Sequence, residues 1–223
     1  MSGFLGGVQF LTRIPIHLRE PVPHHRVLPW FPVVGALIGL VVGGVAVALG
    51  EVLPSTVAAA VAVVVGLLVT GAFHEDGLAD VADAFGGGWT PEQRLEILND
   101  SRHGTYGVAA LSSSILLRVV ALASIAPGAA LLAVAVAAHT LGRGAAVVAV
   151  KSARPARTSG LGVTSSEALG WPLATASAAL AVAVSAAAAG GWAGPFAAAA
   201  VVGAVGVGVL SVRTIGGRVG DGR

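Results

Sequence analysis

Apolar and polar positions in this chain separate into six long apolar runs, at residues 32–53, 55–73, 106–126, 128–150, 172–190 and 194–212. Each is close to the roughly 20 residues that a helix needs to cross the hydrocarbon core of a bilayer. Gly, Ala, Val and Leu dominate them, as in GALIGLVVGGVAVALG and VVGAVGVGVL. Small residues let helices approach closely where lipid removes the hydrophobic drive between them. An earlier stretch, residues 4–16, is apolar but short and ends in Arg13 and Pro15. It reads as an interfacial or re-entrant helix.

The connections alternate. Those after the first, third and fifth runs are minimal: Pro54, Pro127 and GGWAG around Trp192. The segments between the other runs hold nearly all the charge. They carry Arg13, Arg19 and Arg26, then Arg94 and Arg102 with an acidic cluster. Lys151, Arg154 and Arg157 follow, and Arg213, Arg218 and Arg223 close the chain. The positive-inside rule puts that face in the cytoplasm. An even number of spans places both termini on one side without reference to charge. The predicted fold is therefore all-α: a polytopic transmembrane helical bundle of about six spans with a cytoplasmic helical loop. Residues 1–223 form a single integral membrane domain on this reading.

Composition agrees. Of 223 residues, 55% are hydrophobic and only 11% are charged, less than half the roughly 25% usual in soluble domains. The mean hydropathy is +0.86. Too few polar side chains exist to clothe a water-facing surface. A net charge of +2 is too weak to argue for nucleic acid. The absence of cysteine excludes disulfides and thiolate metal sites. The N-terminus lacks a cationic start and a small-residue cleavage site, so a cleaved signal peptide is not expected.

Against this background, the stretch GAFHEDGLADVADAFGGG at 71–88 gathers His74, Glu75, Asp76, Asp80 and Asp83. The spacing i, i+4, i+7 puts Asp76, Asp80 and Asp83 on one stripe of a helix. Three like charges there call for a cation; oxygen-only ligands favour a hard one, and Mg²⁺ typically takes one or two carboxylates plus substrate phosphates. The bland alternative is a solvated acidic helix end. His74 is a candidate general base or metal ligand, with a satisfied interfacial histidine as the bland alternative. Glu75 falls off the stripe and reads as solvated surface.

Gly86 to Gly88 should break this helix. Thr90, Pro91 and Gln93 form a capping-box pattern that starts another, running to about Asn99. It leads into NDSRHGTYG, where Asp100, Ser101, Arg102, Gly104 and Thr105 lie just before a span. Asp, Arg and open glycine amides suit a diphosphate with its metal; an ordinary ion-paired helix end is the alternative. Arg118 and Arg143 lie inside spans, where a charge costs at least ~2.5–3.5 kcal/mol at the helix centre and needs a partner. Arg143 can reach the cytoplasmic layer and bind phosphate, whereas Arg118 reads equally as a structural ion pair. His139 reads as a packed polar residue. The basic loop KSARPARTSGLGVTSSEALG is a topology determinant or a phosphate clamp.

FLTRIPI, FHEDGLADVADAFGGG, RLEILNDSRHGTYG and GGRVGD occur in this order over nearly the whole chain. Together they resemble the cobalamin synthase family, the adenosylcobinamide-GDP ribazoletransferases. The resemblance implies a Mg²⁺-dependent phosphotransfer at the inner membrane. Adenosylcobinamide-GDP and α-ribazole, or its 5′-phosphate, give adenosylcobalamin, or its phosphate, and GMP. It implies Mg²⁺ on Asp76, Asp80 and Asp83, and Arg102 or Arg143 steadying the departing GMP. Ser101, Gly104 and Thr105 join the substrate site, and Asp100, Asp83 and His74 are the candidate bases. Ala84 stands where the family often has Gly. The family usually continues past GGRVGD into one further apolar helix, so a final span is expected to be missing. A homo-oligomer is compatible with the sequence.

Two other readings compete. A CDP-alcohol phosphotransferase or prenyltransferase expects D-G-x-x-A-R or paired aspartate motifs, whereas this chain has D-G-L-A-D. A cation transporter expects carboxylates near the bilayer midplane and broken helices.

Overall fold

A computed structural model describes residues 2–100, 102–152, 165 and 167–215. Among the described residues, ten α-helices are α1 (Ser2–Leu11), α2 (His24–Val27), α3 (Phe31–Gly50), α4 (Ser55–Thr70), α5 (Phe73–Gly87), α6 (Pro91–Ile97), α7 (Thr105–Ala123), α8 (Ala129–Ser152), α9 (Trp171–Ala189) and α10 (Ala193–Ile215). All six apolar runs are helical. Among the described residues, four stretches are long and apolar enough to cross a membrane, or five if a bent pair counts as one span. One of the four, Trp171–Leu210, has 40 residues and would be about 60 Å long as one helix, twice the bilayer core. A 3-10 turn at Gly190–Trp192 divides it into α9 and α10. Both halves pack on α8. Counting them separately, with the bent pair, recovers six.

The bundle is built around α8, which contacts α3, α9 and α10. Glycines make the closest of these approaches possible. A methyl group on Gly39 of α3 would sit 2.7 Å from the Ala135 carbonyl oxygen, and one on Gly43 would sit 2.9 Å from Ala135 Cβ. Val34, Ile38, Val42 and Ala46 of α3 join Leu131 and Val147 of α8 in the buried cluster. Outward positions are as apolar as inward ones: Leu68, Leu116, Leu117 and Val202 are exposed. Surface of that character suits acyl chains rather than water. Trp30, Tyr106 and Trp171 stand exposed at the starts of α3, α7 and α9, and Trp192 at the α9–α10 turn. This is the placement of an aromatic belt.

The N-terminal apolar stretch is a short helix, α1, packed on α2 and α3. Its Gly3, Gly6, Gly7, Val8 and Leu11 are buried.

The feature that positions the polar residues is a corner. α4 ends at Gly71 (φ 65°), and Ala72 (φ 55°) is also left-handed. Glycine adopts that conformation freely, whereas an alanine there costs roughly 1–2 kcal/mol. The corner turns the chain by 92°, so α5 lies across the direction of α4. It then packs against α7 and α6.

Candidate functional site

Beyond the corner, the expected stripe forms on α5, but its three aspartates do different things. Asp76 and Asp80 face one imidazole. His103 Nε2 lies 3.6 Å from Asp76 Oδ1, and its Nδ1 lies 3.7 Å from Asp80 Oδ1. Burial, then the neighbouring Asp76 charge, holds the Asp80 carboxyl above its ordinary value, with His103 opposing. A carboxylate in that position gains from a cation.

Asp83 is 7% exposed. Its Oδ2 accepts from the Gly104 amide at 2.6 Å and its Oδ1 from the Gly107 amide at 2.8 Å. Those amides belong to the first turn of α7, where Gly104 has no side chain to cap them. Asp83 therefore caps α7 from a neighbouring helix, and its charge complements the helix dipole. The glycines are needed for this approach. A Cβ on Gly107 would meet the Asp83 carboxylate and lie 2.9 Å from the Ala79 carbonyl oxygen. The expected third metal ligand, also a candidate base, thus has both oxygens engaged as a structural pin. The Gly104 amide, expected to meet a ligand, is given to a protein carboxylate.

Thr90 and Gln93 make the expected reciprocal capping box, with Pro91 opening α6. Asp100 then closes on Arg102. The guanidinium donates from Nε to both carboxylate oxygens at 3.0 and 3.1 Å and from Nη2 at 2.6 Å, and the Arg102 amide adds a bond at 3.0 Å. These bonds hold the Asp100 carboxyl down at about 2. A carboxylate so engaged is a poor proton acceptor at neutral pH. Thr105 opens α7 as an exposed residue. Ser101, the 153–164 loop segment and the GGRVGD motif lie outside the described residues.

Inside the bundle is a second polar group. Glu75 is not solvated surface: its side chain is 12% exposed, and Arg118 Nη1 donates to its Oε1 at 2.8 Å. Arg118 thereby has the partner that its position in a span requires. Arg143 Nη1 lies 3.1 Å from His139 Nδ1. Glu75 Oε2, Arg118 Nη2 and Arg143 Nε are buried without a hydrogen-bond partner among the described residues. His74 stands edge to face with Phe73, centroids 5.4 Å apart. Between α1, α4, α5 and α7 lies a cavity of about 610 Å³, whose lining includes Phe10, Arg13, Glu75, Asp76 and His103.

Sequence reasoning missed Glu75, His103 and Arg13. An arginine inside an apolar run, Arg118 of α7, was a signal that a carboxylate elsewhere must answer it. Nothing local in the sequence marks the position of His103 between two aspartates 23 and 27 residues earlier.

A Mg²⁺ site was the expectation. Among the described residues, no group of three His, Asp or Glu converges to hold a metal unaided. Two carboxylates facing one point do match an ion that fills its other positions with water and phosphate oxygens. The donor set fits such an ion as a partial site.

A family model described as cobalamin-5-phosphate synthase matches residues 3–222. Curated relatives share the description adenosylcobinamide-GDP ribazoletransferase. The one from Shewanella frigidimarina is 45% identical over 143 residues, covering 61% of this chain and 54% of the relative. The one from Ralstonia pickettii is 38% identical over 226 residues, covering 96% of this chain and 86% of the relative. The one from Vibrio cholerae is 40% identical over 140 residues, covering 61% and 54%. The matched stretch thus spans about half of the Shewanella and Vibrio proteins. No solved structure matches. With a family model spanning almost its full length, the chain belongs to the cobalamin-5-phosphate synthase family.

Proposed function

We propose that this chain joins adenosylcobinamide-GDP to α-ribazole, or to its 5′-phosphate, with release of GMP. Its family and the names of its relatives support that reading. The observation that carries it is the pair Asp76 and Asp80, side by side against His103 on a helix turned across α4 by the 92° corner.

In the reaction a ribose hydroxyl attacks the phosphorus nearer the corrinoid. The new O–P bond forms as the bridging P–O bond breaks, and GMP leaves with the other phosphate. Such transfer depends mostly on positioning and electrostatics. Mg²⁺ held by Asp76 and Asp80 would neutralise diphosphate charge. Arg143, with a buried unpartnered Nε, is suited to hold a phosphate oxygen. Arg102 reaches substrate only by loosening Asp100. The hydroxyl proton needs an acceptor. Of the three candidates, Asp83 and Asp100 are already engaged, and His74 packs on Phe73 away from the aspartate stripe.

The charged end is the cytoplasmic one, and the bilayer is the bacterial inner membrane, on the positive-inside argument. A cation transporter would hold its carboxylates within the spans. Here Asp76 and Asp80 lie on the second half of the bent pair, beyond the corner that ends α4, beside His103 of the segment before α7.

The test is Asp76→Asn and Asp80→Asn, assayed for GMP release with Mg²⁺ titrated. Turnover should fall on the order of 10²-fold or more, with partial recovery at high Mg²⁺. Near-wild-type turnover at ordinary Mg²⁺ would remove both residues from the site.

A further inference from the structure

The cavity between α1, α4, α5 and α7 has features that phosphate chemistry does not explain. Its volume, about 610 Å³, falls in the ~300–1,000 Å³ range of small-molecule sites. That suits a nucleoside and is far too small for a corrinoid carrying a nucleotide. Phe10 and Phe73 form an aromatic corner of the lining, with centroids 5.6 Å apart and planes at 78°. Phe73 is 50% exposed, so much of its ring has no protein neighbour. Leu111 and Ile115 of α7 add aliphatic surface.

The remaining lining is polar in a limited way. Arg13 brings a cation, and its backbone is fixed by an amide bond to the Val69 carbonyl at 2.7 Å. Its side chain lies over Gly71, where any Cβ would collide with it. Asp76 and His103 also belong to the lining, so a ligand here would touch the acidic ridge of α5. The Glu75 charge is answered by Arg118.

We propose that this cavity seats the nucleoside co-substrate. Its flat apolar base lies against Phe10 and Phe73, and its ribose, with any 5′-phosphate, lies at Arg13 and Asp76. Aromatic faces recognise such a base through stacking. The sugar hydroxyls then lie beside Asp76, where the diphosphate of the other substrate is needed. The inference rests on the reaction proposed above.

The experiment uses the whole chain in lipid nanodiscs. Equilibrium dialysis measures α-ribazole and adenosylcobinamide-GDP separately against wild type, Ile115→Trp, which fills the cavity, and Phe73→Leu, which removes a stacking face. Circular dichroism confirms that the variants fold. Affinity for α-ribazole should fall at least about tenfold in both variants, by loss of aromatic contact and volume, while the corrinoid affinity stays within about twofold. The proposal is overturned by α-ribazole affinity unchanged in both variants, by parallel loss of both ligands, or by wild type that binds no α-ribazole. Selective loss of α-ribazole without any product from wild type would instead keep the cavity and sink the proposed reaction.

Discussion

At the scale of single residues, burial and partner decide what each acidic group does. Asp83 and Asp76 share a helix stripe, yet one caps α7 and the other stands in the open with His103. Replacing Asp83 by Asn would turn an amide N–H₂ toward a backbone N–H. The expected cost is about 1–3 kcal/mol, read as a lower unfolding midpoint with faster hydrogen exchange at Gly104 and Gly107. Glu75→Gln leaves Arg118 without its counter-charge. Because Arg118 is partly exposed, the expected loss is about 1–3 kcal/mol, and Glu75→Gln with Arg118→Met should recover most of it. A double variant no more stable than the single would refute the pairing. Asp100 gives the pH dependence. Its folded value of about 2 lies below the ordinary 3.8. The Arg102 pair therefore contributes fully above pH 3.8 and is lost as pH falls through about 2. A carboxyl ¹³C titration should find that midpoint, and one near 4 would show that the pair does not persist in solution.

Elements were more legible than their partners. Apolar runs of about 20 residues announced the long helices, and Thr90, Pro91 and Gln93 announced the start of α6, because those signals are local. The partners of Asp83 lie 21 and 24 residues away, and that of Glu75 lies 43 away. Only packing brings them together, so no spacing rule could supply them. Helix seams can be tested by glycine pairs within one helix. On α3, Gly39 meets α8 backbone, while Gly44 has nothing within 4 Å. Gly39→Ala should cost about 1–3 kcal/mol through overpacking. Gly44→Ala should be neutral or stabilising by about 0.5–1 kcal/mol, since alanine favours a helix interior. Equal effects at the two positions would contradict the seam.

For the whole molecule, the alternation of short and charged connections carried the layout of the bundle, and the structure agrees in its helices. Length and composition leave the span count at four or five among the described residues, because α4 is short and α9 runs into α10 through one turn. Sidedness can be measured. With cysteine placed at Thr90 and separately at Gly194, impermeant label should reach position 90 from the cytoplasm and position 194 from the opposite side. Labelling of position 90 from the outer side alone would invert the arrangement.

The right-angle turn at Gly71–Ala72 has a consequence for where chemistry takes place. A helix running on straight would carry its acidic groups further from the lipid with every turn. Turned across α4 instead, α5 keeps them together at one level of the bundle. For the proposed reaction, with that level at the membrane surface, turnover should depend on the charge of the surrounding lipids more than on bilayer thickness.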